Sequence, residues 1–311
     1  MMMRWLVGFV FILIPVAATA QSLDRYPIID VHLHTMNLRD LGPNPVTGAA
    51  PPQSVEDHVR ATVDAMKRNN IVLGIVGGPL DQLGAFRDVG GARVWASPLF
   101  GSPSIDLTEL RHLYQTGALR AMGEITAQYE GLSPSGPELE PYFALAAELD
   151  IPVGIHTGLS FPGITRTAPR FRVSLGNPIH FEELLNRHPN LRVYIMHAGW
   201  PFLAETIGIL NVYPQVYVDI AVVNWIRPRE EFYAYLRELI KAGFLDRIMF
   251  GSDQMSWPDA IDLAVETVKS ANFLSNEQKR AILYDNAARF LHLSEAERTA
   301  HHAMAQRQDR E

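Results

Sequence analysis

The chain has 311 residues, 47% of them hydrophobic and 20% charged, an ordinary globular balance. A net charge of −7 and the lack of any basic run argue against a nucleic-acid backbone as partner. There is no cysteine, so the fold gains nothing from an oxidising compartment.

Residues 1–20 have the layout of a secretory signal: Arg4, an apolar run from Trp5 to Val16, then Ala18-Thr19-Ala20. The run is shorter than the ~20 residues a membrane span needs. The expectation is a periplasmic or secreted protein with no stable membrane insertion after cleavage.

Short apolar runs then recur at 27–34, 71–78, 94–100, 119–125, 151–157, 192–198, 216–223 and 247–253. They are rich in Val and Ile and nearly continuous in apolarity, as strands buried on both faces of a parallel sheet are. Helical stretches lie between them. Ser54 and Asp57 make a capping-box-like start before the stripe Val55, Val59, Thr62, Val63 and Met66. Residues 106–115, 137–149, 178–187 and 228–241 read as further helices, several with proline near the first turn.

Eight strand–helix repeats match the usual ~250 residues of a (β/α)8 TIM barrel. A doubly wound open sheet would carry a glycine-rich turn after its first strand, and HLHTMNLRD cannot serve as one. We expect a single α/β barrel domain over 21–293, and a polar tail over 294–311 that frays or is disordered.

Residues of metal-ligand type close these runs. His32 and His34 stand in IIDVHLHT, two apart and so on one strand face. Asp30, two residues earlier, is expected on the same face as an acceptor that orients a ligand. Glu124 stands in LRAMGEIT, His156 in IPVGIHTG, His197 in VYIMHAGW and Asp253 in RIMFGSDQ, each near the end of its run. Any one has a bland reading as a buried polar group or helix cap. All together, at the end of a barrel where catalytic residues lie, they imply one metal-centred pocket. The lysines (Lys67, Lys241, Lys269, Lys279) avoid strand ends, so no carbamylated lysine bridges two ions.

The motifs DVHLH at 30–34, the histidines at 156 and 197, GSD at 251–253 and DNAARFLHL at 285–293 resemble the amidohydrolase superfamily. The similarity is to its amidohydrolase-related branch, which includes aminocarboxymuconate-semialdehyde decarboxylase-like enzymes and dicarboxylate lactonases. It spans residues 26–293. Glu124 departs from the single-metal members and is closer to TatD-related nucleases, where a strand-four glutamate bridges two metals. The resemblance implies one ion on His32, His34 and Asp253, completed by Glu124 or His156. It implies a second on Glu124, His156 and His197. With one ion only, His197 is free for proton transfer.

A divalent ion lowers the pKa of its water from ~15.7 toward ~7. Asp253 is the natural proton acceptor, and His197 or a second ion would stabilise the developing oxyanion, with Asp253 and His197 as the catalytic residues. Zinc suits the nitrogen-rich set, and manganese or iron also fit. The leading reading is a metal-dependent hydrolase of an ester, lactone or amide. The alternatives are a mononuclear decarboxylase of an aromatic or unsaturated acid and a non-catalytic periplasmic metal or solute binder. For an aromatic or carboxylate-bearing small molecule, Trp200, Trp225 and Trp257 follow strands on the catalytic side. Arg166 and Arg170 stand in the long loop 158–176. Whether copies associate as a homo-oligomer is open at this stage. His58, His112, His180, His188, His301 and His302 read as surface or structural histidines.

Overall fold

The computed structural model describes residues 23–35 and 41–307. The expected signal at 1–20 lies outside them. Eight strands appear in chain order: β1 (Ile28–His34), β2 (Ile71–Gly78), β3 (Val94–Pro98), β4 (Met122–Ile125), β5 (Val153–Ile155), β6 (Val193–Ile195), β7 (Val216–Asp219) and β8 (Ile248–Met249). All neighbours pair in parallel, as β1-β2-β3 and β4-β5-β6-β7-β8.

Backbone hydrogen bonds join the two groups at both seams. Arg120 N–H donates to Ala96 O at 3.0 Å and Thr126 N–H to Phe100 O at 2.9 Å, linking β3 to β4. Val31 N–H donates to Phe250 O at 3.1 Å and Asp253 N–H to His32 O at 2.7 Å, linking β8 to β1. The sheet therefore closes on itself and, among the described residues, leaves no edge strand. This is the expected (β/α)8 barrel.

The helices lie outside it. Helix α1 (Val55–Arg68) begins where Ser54 Oγ accepts the N–H of Asp57 at 3.0 Å. Its stripe Val59, Val63 and Met66 is buried against the sheet, each side chain contributing roughly 1.5–3 kcal/mol. Then follow α2 (Leu83–Gly90), α3 (Leu107–Gln115), α4 (Glu140–Glu148), α5 (Glu182–Arg187), α6 (Leu203–Val212), the short α7 (Val223–Ile226), α8 (Arg229–Lys241), α9 (Ala260–Lys269), α10 (Asn276–Arg280) and α11 (Asn286–Phe290). Among the described residues, no helix is long and apolar enough to cross a membrane.

The polar tail is not frayed over its described part. It forms α12 (Glu295–Arg307), which buries His301 and Ala305. Nδ1 of His301 lies 3.1 Å from the Tyr284 hydroxyl. Tyr26, just before β1, packs edge-on against Tyr284 and His302, so α12 sits where the strands begin. A second apolar cluster joins Ile29, Leu73, Tyr194 and Met249 of the strands to Ala287, Phe290, Leu291 and Ala305. Helices α11 and α12 thus close the barrel end opposite the strands' C-termini.

Candidate metal centre

The strands' C-terminal ends bring all six expected ligands together, each buried. Nε2 of His32 and Nε2 of His34 are 3.1 Å apart, and Asp253 Oδ1 lies 2.9 Å from His34 Nε2 and 3.8 Å from His32 Nε2. Glu124 divides its two oxygens. Its Oε2 faces His34 at 3.6 Å and His32 at 3.9 Å, while Oε1 faces His197 Nε2 at 3.6 Å and His156 Nε2 at 3.8 Å.

The acceptors around these rings fix which ring nitrogen is free. His32 Nδ1 lies 3.0 Å from Asp219 Oδ2 at the end of β7, so its Nε2 is turned inward. His156 Nδ1 lies 2.9 Å from Gln128 Oε1, and the Gln128 amide is oriented by donating to Gly158 O at 2.9 Å. His197 Nδ1 lies 3.2 Å from Ala221 O. His34 is held through its backbone: Gln254 accepts the His34 N–H at 3.0 Å and donates to His34 O at 2.8 Å. Sequence reading missed Asp219, Gln128 and Gln254. Asp219 stands inside its apolar run, VYVDIAVV, and not at its end, so the pattern that singled out Asp253 did not reach it.

Asp30 acts as the expected acceptor, through the main chain. Its Oδ1 accepts the backbone N–H groups of His32 and Ser252, both at 3.0 Å, and so steadies a candidate ligand by its backbone. The carboxylate behind the His32 ring is that of Asp219.

The backbone is forced at the same places. His197, Ala198, Val222 and Asp253 all have positive φ, between 49° and 59°. Such conformations in non-glycine residues cost of order 1–3 kcal/mol and gather at functional sites. Gly123, beside Glu124, has φ 137°, and a Cβ there would meet Gly154 O at 2.5 Å. Only glycine lets β4 approach β5 closely enough to aim Glu124 inward.

Electrostatics keep the carboxylates charged. Burial alone would raise Glu124, but His156, His197 and His32 hold it well below the usual range. Asp253 is likewise lowered, against its burial, by His32, His34 and His197. Burial pulls His156 down to about 4, so it is neutral near pH 7. For His32, burial is outweighed by Asp253 and Asp219, which raise its pKa well above the ordinary value.

These residues fit a metal ion. Asp253 Oδ1 is buried without a hydrogen-bond partner although His34 Nε2 is only 2.9 Å away. Two polar atoms that touch without hydrogen-bond alignment are placed as ligands of a shared ion are. Two groups of donor atoms meet closely enough for this: His32, His34 and Asp253, and His32, Glu124 and His197.

Residues 48–293 match the family model described as Amidohydrolase. The chain belongs to the amidohydrolase family. Its members are metal-dependent, in keeping with the ligand set. This amidohydrolase is 24% identical over 159 residues to Protein fluG of Emericella nidulans, covering 46% of its own length and 18% of that protein's. It therefore spans less than a fifth of that curated relative. A probable 2-pyrone-4,6-dicarboxylic acid hydrolase from Acinetobacter baumannii, solved with citric acid bound, superposes with a TM-score of 0.62 at 16% identity, covering 86% of this chain and 99% of that one. The 2,6-dihydroxybenzoate decarboxylase from Rhizobium superposes with a TM-score of 0.60 at 14% identity, covering 86% and 99%. At these identities the likeness is one of fold.

The expected substrate-binding residues of the amidohydrolase are placed unequally. Trp225 and Trp257 are buried and packed edge-on, ring centroids 6.2 Å apart. Their indole N–H groups donate to Ser252 O at 2.7 Å and Gly42 O at 3.0 Å. Trp200 is half-buried, with the Arg227 guanidinium 4.3 Å above its ring. Arg170 is exposed and paired with Glu130, and Arg166 is exposed. The loop carrying them is pinned at its ends by the Gly158 N–H bond to Gly176 O at 2.8 Å. Of the six histidines expected to be surface or structural, His58 is buried and bonds Met255 O through Nε2 at 2.7 Å.

Proposed function

We infer that this amidohydrolase hydrolyses an ester, lactone or amide in a small carboxylate-bearing substrate, with two divalent ions bridged by Glu124. The observation that carries this is the division of the Glu124 carboxylate. One oxygen faces His32 and His34 while the other faces His156 and His197, at 3.6–3.9 Å. A carboxylate held between two imidazole pairs is a ready bridging ligand. The fold-level likeness to a probable 2-pyrone-4,6-dicarboxylic acid hydrolase supports the same reading.

His32, His34 and Asp253 would hold one ion, and His156 and His197 the other, most simply zinc. The ions would supply water acidified to near-neutral pKa and polarisation of the scissile carbonyl. Asp253 holds the proton taken from the attacking water, because its second oxygen, Oδ2, stands apart from the His34 contact, 4.0 Å from His197 Nδ1. Glu124 and Asp219 keep the histidine rings fixed while this happens. Trp200 and Arg166 are the candidate substrate contacts, being the least committed of those expected.

A mononuclear decarboxylase is the second reading, favoured by one observation. The Glu124 contact raises the pKa of His197 against its burial, which suits a proton donor to carbon. The two readings separate on metal content per chain after gentle purification. Two ions in the wild type and one in Glu124→Gln, with acid, alcohol or amine as product, support hydrolysis. One ion in both, with CO2 released from aromatic acids, would sink it.

We also propose that residues 1–20 direct export to the periplasm or medium and are then removed. Recovery of a cellular protein that retains its first residues would refute this.

A further inference from the structure

The phenol of Tyr129 is unused by the reading above. Tyr129 lies in the turn Ala127–Glu130 that follows β4, five residues beyond Glu124. Its ring stands edge-on to His156, centroids 5.0 Å apart, and is backed by Phe171 at 5.1 Å. Its hydroxyl is 3.4 Å from His156 Nε2 and donates to Ser160 Oγ at 2.9 Å. These contacts leave the hydroxyl beside the ring nitrogen that faces Glu124, not on the protein surface.

The Gln128 side chain decides what that nitrogen can do. Because its amide is oriented by Gly158 O, Oε1 accepts from His156 Nδ1, and Nε2 carries the lone pair. An ion on Nε2 uses that lone pair, so the Tyr129 hydroxyl loses its partner on the ring. Its proton can then go only to Ser160 or to an atom inside the centre. Ser160 is half-buried and its hydroxyl can turn to donate rather than accept. The solvent that reaches the centre reaches Glu124, His156, His197 and Asp253, at 6–7% exposure, more than His32 and His34 at 2%. Tyr129 therefore stands at the accessible side.

We propose that Tyr129 is a catalytic residue whose hydroxyl, steadied by Ser160, hydrogen-bonds the substrate oxygen that gains negative charge beside His156. This rests on the hydrolytic reading for the substrate class, but not for the contact itself. A neutral phenol is suited to the task. It offers one directed donor to a developing anion and keeps its own proton, so nothing has to be restored between turnovers.

The test compares zinc-loaded wild type with Tyr129→Phe, which keeps the ring packing on His156 and Phe171. Inorganic phosphate serves as a tetrahedral anionic probe, its affinity read by calorimetry alongside zinc content per chain. The expected result is unchanged zinc content and phosphate affinity lowered about tenfold, the loss of one hydrogen bond to a charged group. On any ester or lactone that the wild type turns over, kcat should fall roughly 10²-fold with KM little changed. Equal phosphate affinity in the two proteins, or no phosphate binding by either, overturns the proposal. Zinc lost from the variant also overturns it, since Tyr129 would then act by positioning His156. The phosphate comparison stands whether or not the wild type hydrolyses anything, so failure of the hydrolytic reading shows separately as absent turnover.

Discussion

The carboxylate of Asp219 ties His32 to His197: its Oδ2 lies 3.0 Å from Nδ1 of His32, while its Oδ1 accepts the backbone N–H of His197 at 2.8 Å. One buried acid thus orients a residue of each proposed metal half-site. Asp219→Asn keeps the shape but removes the charge that makes His32 a strong donor. Metal affinity should drop roughly 10–100-fold, as for other partners behind metal-ligating histidines. Chelator competition on the folded variant measures it, and an affinity equal to wild type would refute the role.

Protons and ions should compete for His32. Asp253 and Asp219 outweigh burial and raise its pKa, so the ion-free protein carries a proton there near neutrality. Binding an ion must displace that proton. Below the raised pKa, affinity should weaken by about a decade per pH unit as the pH falls. Titrating zinc into chelator-stripped protein in two buffers of different ionisation enthalpy reads the released proton directly.

Removing metal should also lower stability. An ion present at about 100 times its dissociation constant adds about 2.7 kcal/mol to the folded state. Thermal melts with and without chelator should differ by several degrees, and adding zinc should restore the higher transition. Coincident melts would count against resident metal.

His58 gives an acid-side signature. Burial, helped by nearby His34 and opposed by the bond to Met255 O, pulls its pKa from 6.5 to about 4. The unfolded chain therefore takes up this proton first as pH falls. The contribution to stability is whole above about 6.5, declines through the interval, and is gone below about 4. The full swing is at most about 3 kcal/mol. In urea titrations under chelator, wild type should lose more stability than His58→Gln between pH 7 and 4.5; parallel losses would contradict this.

Gly123→Ala should fail structurally. Its Cβ would stand 2.5 Å from Gly154 O at a φ of 137°. A cost of at least about 3 kcal/mol, with metal binding impaired, is expected from strain plus displacement of β4. A variant as stable as wild type by urea titration would show that β4 can yield.

The barrel and the gathering of the six candidate ligands were legible because each stands near the end of an apolar run, a one-dimensional pattern. What escaped was set by contacts between runs. Asp30 does reach His32, but at its backbone N–H, and the acid behind the ring, Asp219, comes from a different run. Trp225 and Trp257 looked like a substrate wall, yet their N–H groups go to Ser252 O and Gly42 O, pairings that no spacing announces. Gln128 and Gln254 act through neutral amides, which give no signal until the rings they serve are in place. The tail looked free because only one narrow side of α12, with His301 and Ala305, faces the protein.

That last helix has a kinetic corollary. With α11 and α12 packed over the end where the strands begin, substrate and product are expected to share the ligand-bearing end of the barrel. Arrival and departure then exclude each other, so product inhibition should be competitive with substrate.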